Sequence, residues 1–364
     1  MLVKKNVLIM HPTDRGACAF YRCNFMADLL RTYKAGEIEV IVSPYEITDE
    51  FILSRTAAVI VYRPLTEAHE TLLQHYKRKR GKFGFKIFAD YDDLIFAIDG
   101  KSPIPDYNCS KIDPFKAHDF IARNLANVDG ITVSTRYLRN AFEVVFGFNN
   151  VILQPNKIPR YVFGRERRAP LKDDIAKPVV LYAGSLTHFS DDNPGDFAGP
   201  WIPWLKKAIA EDRIEFHCFG QPKFLEEVKD KVVTHGYVSA IEFPSVIKEI
   251  APHFYLAPLA DNDFNLAKSN LKLLEASAIG AVLLGSWITY HEAPVMLCMH
   301  NVNTPKDLDN LVSSLCDREL FNNVIGNQYF IMDYKGYWMD SIESMNSYLK
   351  TFFGDSLNLN PEAR

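Results

Sequence analysis

Short apolar runs recur along the chain, each followed by a polar or amphipathic stretch of helical length. Val7–Met10, Ile38–Val42, Ala58–Tyr62, Lys86–Ala89 and Gly130–Val133 are rich in β-branched and aromatic residues and read as strands. Between them, Phe20–Tyr33 and Thr66–Lys79 repeat apolar residues at helical spacing. A second series opens at Pro178, with runs at Val179–Ala183, Ile214–Phe219, Val232–Val233, Tyr255–Leu259 and Val282–Leu284. Strands alternating with helices imply parallel sheets, whose ligands gather at the carboxyl ends of the strands. The expected fold class is therefore α/β, in two Rossmann-like, doubly wound halves. The Pro- and Arg-rich segment Gln154–Pro178 reads as the linker between them, and Tyr337–Phe353 predicts a closing helix. The halves show no mutual sequence repeat.

The densest pattern is Phe254–Ser286, FYLAPLADNDFNLAKSNLKLLEASAIGAVLLGS. Phe254–Leu259 predicts a strand and Ala281–Leu284 a second one. Ser269 or Asn270 is a natural N-cap for the helix between them, because its side-chain oxygen can accept first-turn amides. Gly280 suits the left-handed stop. Such a βαβ unit presents a helix N-terminus at the carboxyl edge of a sheet, where free amides and the helix dipole favour an anion. Lys268, Lys272 and Glu275 fall on one predicted stripe, and Leu271, Leu274 and Ala278 on the buried one. Two cations and a carboxylate there suit a nucleotide diphosphate and the hydroxyls of its ribose or sugar; an ordinary βαβ unit with a solvated Lys/Glu face is the plainer reading.

Composition narrows the class. A length of 364 residues suggests about two domains, and 48% apolar residues suffice for sizeable cores. No apolar run approaches the roughly 20 residues that span a bilayer, and MLVKKNVLIMHP reads as an opening strand rather than a signal peptide, so no membrane insertion is expected. The six cysteines form no C-x-x-C pair and predict reduced thiols in a cytoplasmic protein. The net charge of −4 gives no global pull towards nucleic acid, yet residues 1–88 carry fourteen Lys/Arg against nine Asp/Glu. The run Lys77–Lys86 holds six cations in ten positions, and Lys157, Arg160, Arg165, Arg167, Arg168 and Lys172 form a second cluster. Each is either a solvated face or a dock for a polyanion.

Glu275-Ala276-Ser277-Ala278-Ile279-Gly280-Ala281-Val282, closing at Ser286, resembles the donor motif E-A-x-A-x-G-x-P-V-x-x-S of GT-B glycosyltransferases of the retaining group 1 type. The resemblance implies two Rossmann-like domains across a cleft. Residues 1–160, with a returning helix at about 337–356, would form the acceptor domain, and 161–336 the nucleotide-sugar domain. It gives Glu275 the ribose. The family's second Glu is replaced by Ala267, so the loop Asn262-Asp263-Phe264-Asn265 is expected to make the sugar contacts. Leu181–Leu186, with Gly184 and Ser185, resembles the first donor strand and turn. The Arg and Lys usual beyond it are replaced by Thr187, His188, Phe189 and Ser190, so Lys268 and Lys272 are expected to meet the diphosphate. Val233–Val238, including Tyr237, resembles the loop around the base. His217 reads as a structural strand residue.

Facing this, His11–Arg22 occupies the place of the acceptor loop, with Arg15, Gly16 and Tyr21 near the acceptor and Arg22 reaching the cleft. It lacks the Gly-Lys-Ser/Thr ending of a Walker loop. Asp90, Asp92 and Asp93, three carboxylates in four positions, read as an acceptor-side base, a Mg²⁺ or Mn²⁺ site, or a capped strand end. Enzymes of this type usually need no metal, so none is expected, and Asp92 or Asp93 is expected to orient or deprotonate the acceptor. His118 is a further cleft candidate. The resemblance implies retaining transfer from a nucleotide sugar such as a UDP-sugar, to a hydroxyl. The LAKSNLK variant and the Asp-Tyr-Asp-Asp segment look similar to tailed-phage enzymes that glycosylate hydroxymethylcytosine DNA, with hexoses or pentoses such as arabinose. A surface polysaccharide or glycolipid enzyme and a non-catalytic nucleotide-sugar or DNA-binding module are the competing readings, and the oligomeric state is not legible.

Overall fold

The computed structural model describes residues 5–13, 16–34, 37–108, 111–184, 186–220, 222–290 and 302–354. Its first sheet contains β1 (Val7–His11), β2 (Glu39–Val42), β3 (Thr56–Tyr62), β4 (Lys86–Tyr91), β5 (Gly130–Val133) and β6 (Val151–Leu153), in the order β2-β1-β3-β4-β5-β6. The second contains β7 (Val179–Tyr182), β8 (Glu215–Phe219), β9 (Val232–His235), β10 (Phe254–Ala257) and β11 (Val282–Gly285), in the order β11-β10-β7-β8-β9. Every pairing is parallel. β6 escapes the sequence pattern because it is three half-buried residues long.

Helices α1 (Phe25–Tyr33), α2 (Glu67–Phe83), α3 (Pro114–Leu125) and α4 (Arg136–Phe146) cover the first sheet. Helices α5 (Trp201–Ala210), α6 (Phe243–Ile250), α7 (Leu271–Ile279), α8 (Pro305–Leu315) and α9 (Arg318–Tyr334) accompany the second. Capping side chains start several of them, including Thr66, Asp113, Thr135, Thr304 and Asp317. Because successive strand residues face opposite sides, Leu8 and Met10 enter one core while Val7 and Ile9 enter another. The expected C-terminal helix, α10 (Ile342–Phe353), crosses back onto the first sheet, where Phe352 meets Phe88 edge-on at 5.1 Å.

Strand order reverses between β1 and β3 in one sheet and between β7 and β10 in the other. Crevices open at such switch points, outside the carboxyl ends of the strands. Those ends carry Arg63 after β3, Asp92 and Asp93 after β4, Gly184 after β7 and the 258–270 loop after β10. The basic run Lys77–Lys86 instead lies at the opposite edge, since α2 starts at the carboxyl edge and runs back. Its cations serve there locally: Lys77 bonds Ala126 O, Arg80 pairs with Asp129, and Lys79 and Lys82 share Glu50. No disulfide joins the described cysteines Cys18, Cys23, Cys218 and Cys316.

Gly280 ends α7 in the left-handed conformation, φ +70°, and a Cβ there would lie 2.4 Å from Arg168 Cβ. Gly280→Ala should cost more than about 1 kcal/mol, since strain and overlap add. Equilibrium urea unfolding measures it, and wild-type stability would refute the packing described here.

Candidate active site between the two sheets

The first half of the site rests on a buried ion pair. Residues Phe20–Asn24 form a π-helical turn rather than the start of a regular helix, and both Tyr21 and Arg22 are buried. Arg22 Nε donates to Asp90 Oδ2 at 2.9 Å, with its Nη2 on Oδ1. Its Nη1 donates to Gln154 O and Asn156 Oδ1, and Thr132 adds a hydroxyl to Asp90 from the next strand. The expected reach of Arg22 into the cleft is thereby corrected. Both Arg22 and Asp90 are consumed by each other, so they anchor the site without facing it.

Beyond Asp90 the chain turns outward. Arg63, held at φ +42°, donates to Asp92 Oδ1 at 2.6 Å and also binds Asp93, while Tyr62 donates its hydroxyl to Asp92 at 2.9 Å. Burial, only partly offset by Arg63, raises the Asp92 pKa. Burial acts in the same direction on Asp93, but Lys268 and Arg63 outweigh it and hold Asp93 low. Two neighbouring carboxylates are thus pushed apart in acidity. Lys268 Nζ lies 3.8 Å from Asp93 Oδ1, across the cleft. With Arg63 and Lys268 between the carboxylates, no group of three His, Cys, Asp or Glu side chains among the described residues could hold a metal ion. Cys18 borders the same cluster, and burial pushes its thiol up to about 12.

Opposite them stands a dyad that the sequence did not reveal. His188 Nδ1 donates to Asp196 Oδ2 at 2.7 Å, leaving Nε2 as the open nitrogen of the ring. Asp196 also accepts from Tyr107 OH, Ala260 N and the Asn265 amide. These donors overcome the effect of burial and hold it ionised. Burial lowers the His188 pKa, and nearby Lys268 and Lys272 lower it further, so the imidazole is neutral at physiological pH. Gly184, just upstream, makes room for Tyr182: a Cβ there would sit 2.2 Å from the tyrosine hydroxyl.

Helix α7 starts beside this dyad. Leu273 N and Leu274 N reach Asn270 O, while the amides of Leu271 and Lys272 find no partner among the described residues. Asn270 occupies the N-cap, but its side chain makes no capping bond and its Nδ2 is buried without a partner. Tyr182 OH and Asn265 Oδ1 are likewise buried and unpartnered. Orphaned polar atoms of this kind cost about 1–3 kcal/mol each and mark places where a ligand can bond.

Glu275 does not lie on a solvated face, the plainer of the two sequence readings. It is 3% exposed, because α7 is buried on nearly every face. Its carboxylate accepts from Tyr21 OH, Tyr255 OH and Lys272 Nζ, each at 2.9 Å. Lys268 precedes the helix, so it shares no helical stripe with Lys272. Further contacts cross the cleft: Asn156 to Ser269 at 2.8 Å, Thr135 to Ala267 O at 3.0 Å and Tyr137 to Asp263 at 3.0 Å. Ala267 is fully buried against the core of the first sheet, where a carboxylate would be stranded.

No family model and no curated protein matches the sequence. Solved structures do. HepE of Anabaena, in complex with UDP-glucose, superposes with a TM-score of 0.53 at 11% identity, covering 95% of this chain and 99% of that one. TarM superposes with a TM-score of 0.52 at 12% identity over 82% of this chain. The match covers 55% of the TarM chain, about half its length. Two parallel, doubly wound sheets in this relation decide the architecture. The fold is GT-B.

Within the GT-B frame, the structure brings Asp92, Asp93, Tyr21, Asn265, Lys268, Asn270, Lys272 and Glu275 to one cleft, together with His188 and Asp196. Ser269 also lies there, bound to Asn156. Gly16 precedes the first helical turn with φ −73°, an ordinary extended value open to any residue. Tyr237 is 92% exposed on the loop after β9 and does not join the cluster. His118 is also apart, because it packs on Phe146 near the end of α4 remote from the cleft. His217 is a strand residue bonded to Glu215 and His235. Arg15 and Ser185 lie outside the described residues.

Asp90→Ala strands the Arg22 guanidinium in the first sheet's core. The expected loss is about 3–5 kcal/mol in chemical denaturation. A loss under 1 kcal/mol would show that this pair does not anchor the site.

Proposed function

We propose that this protein is a glycosyltransferase that moves a sugar from a nucleoside diphosphate sugar to an acceptor hydroxyl. The observation that carries the reading is the α7 N-terminus. Two free amides, the orphaned Asn270 amide, Lys268 and Lys272 gather at the switch point of the second sheet, beside the neutral His188 imidazole of the same half and facing the Asp93 carboxylate of the first. Amides at a helix start and mobile ammonium groups match a diphosphate leaving group. UDP in the TarM complex and UDP-glucose in that of HepE favour a uridine donor.

In this scheme the bond between the anomeric carbon and the phosphate oxygen breaks as the acceptor oxygen bonds that carbon. The lysines leave their carboxylate partners for the departing diphosphate. His188 Nε2 takes the acceptor proton, and Asp196 stabilises the resulting imidazolium. Asp93 orients the acceptor hydroxyl, whereas Asp92 is held by Tyr62 and Arg63 and serves to position Arg63. Glu275 reaches a ribose only when Tyr21 gives way, which ties donor entry to opening of the cleft. Retention of configuration is the outcome that the motif resemblance implies, and NMR of the product's anomeric proton reads it directly.

For the acceptor, hydroxymethylcytosine DNA remains the reading carried by the resemblance, and a surface polysaccharide or glycolipid is its competitor. The Lys77–Lys86 run adds no support for DNA, being at the sheet edge away from the cleft. Incubation with a panel of UDP- and GDP-sugars, with and without hydroxymethylated DNA, tests donor and acceptor together through nucleoside diphosphate release. Release stimulated by the DNA, and weakening steeply with salt, supports DNA. Donor binding without release under any condition would leave a binding module and overturn transfer.

Two variants sharpen the assignment. Lys268→Met with Lys272→Met should lower kcat/KM roughly 100-fold, as expected for removing donors to a developing charge. His188→Gln should cost roughly 100-fold or more in kcat with KM little changed. The wild-type rate should fall on the acid side with an apparent pKa below the ordinary 6.5, because the active form is the unprotonated ring. An unchanged acid limb in the His188→Gln protein would refute the proton-acceptor role.

A further inference from the structure

The second arginine cluster has no part in the proposed transfer. It lies where the chain crosses between domains. The first crossing passes through Ile158 and the second through Trp338, and they run side by side: Ile158 N donates to Tyr337 O at 3.2 Å, and Met339 N to Ile158 O at 2.8 Å. Against this junction opens a cleft of about 250 Å³, lined by Arg160, Arg165 and Arg167 from the first crossing and by Tyr329, Asp333 and Trp338 from the second.

The cations here are set in place. Arg160 lies over the Trp338 ring at 4.8 Å and Arg167 over the Tyr329 ring at 5.0 Å. Both bind the same carboxylate, Asp333, which also accepts from Trp338 Nε1 at 2.9 Å. Arg165 has no polar partner among the described residues. Lys248 Nζ presses on Gly164, where a Cβ would come within 2.4 Å of it, and it too lacks an ion pair. Among the lining residues, Arg160, Arg165 and Arg167 against Glu166 and Asp333 make three positive charges against two negative, an excess of one, with Lys248 beside Gly164 at the rim. Stacked guanidinium forks with an excess positive charge, and an Arg165 that is unpaired among the described residues, match a phosphate in charge and hydrogen-bond geometry.

We propose that this cleft is a binding site for a phosphate or phosphomonoester group, separate from the nucleotide-sugar cleft. Its volume is below the roughly 300 Å³ at which pockets for drug-sized molecules begin, so it takes a small anion or the head of a larger molecule. Two sources supply that chemistry: a free phosphorylated solute, or a phospholipid head group. Phe330 and Tyr334 occupy the next stripe of α9, stacked at 5.5 Å and 63% and 70% exposed, where an acyl–head-group boundary would place aromatic side chains. Because the site draws on both crossings, its ligand contacts the segments about which the domains move.

The test uses the full chain and the double variant Arg165→Ala/Lys248→Ala, whose side chains support no internal ion pair. Calorimetric titration with inorganic phosphate and pyrophosphate, at matched ionic strength, reads the free anion. Flotation with phosphatidic acid vesicles, against phosphatidylcholine vesicles, reads the lipid. Saturable binding of either probe by the wild type, weakened about tenfold or more in the double variant, is the expected result. Phosphate binding without flotation identifies a soluble ligand, and flotation alone a head group. Failure of the wild type to bind either probe, or equal binding by the double variant, overturns the proposal. Neither readout depends on glycosyl transfer.

Discussion

The Arg22–Asp90 pair fixes where everything else in the cleft can go. A carboxylate on a central strand must be neutralised, and a guanidinium delivered by the π-turn does so while tying down Gln154 and Asn156. Through Asn156 the same network reaches Ser269 of the other domain. The turn that presents Arg22 inward also aims Tyr21 at Glu275. One buried pair therefore sets the register of the first helix, the start of the interdomain crossing and the depth to which α7 docks. Replacing a buried pair by apolar groups is often neutral for stability, so the value of this one lies in positional definition.

The second organising feature is that the protein supplies its own stand-ins for a ligand. Lys268 rests on Asp93, Lys272 on Glu275, and the Tyr21 hydroxyl donates to the same Glu275 carboxylate. Such contacts keep charged groups paired in a narrow cleft, where an unpaired ion is costly. Ala267 belongs to the same arrangement: its methyl is sealed under the first domain.

Much of this was legible in the residues. The strand–helix–strand of 254–285 and its glycine stop are local patterns, and local patterns survive folding. The GT-B architecture followed from the alternation of elements and the Glu275 context. Side-chain destinations were less accessible. Glu275 and Lys272 lie three residues apart on the helix, but periodicity cannot tell that a tyrosine from residue 21 will cover the carboxylate. Arg22 looked like a cleft cation because its pairing with Asp90 spans 68 residues. The His188–Asp196 dyad has a spacing of eight residues across an irregular loop, a spacing that belongs to no periodic element. The one hint was His188 itself, standing where the family carries cations.

The paired crossings have a mechanical consequence. A single linker is a universal joint, free to swing about any axis. Two strands clipped together at Ile158 and Trp338 instead form a flat strap, stiff to sideways bending and compliant mainly in torsion. The strap also adjoins the site itself, because Asn156, two residues before Ile158, is bonded to both Arg22 and Ser269.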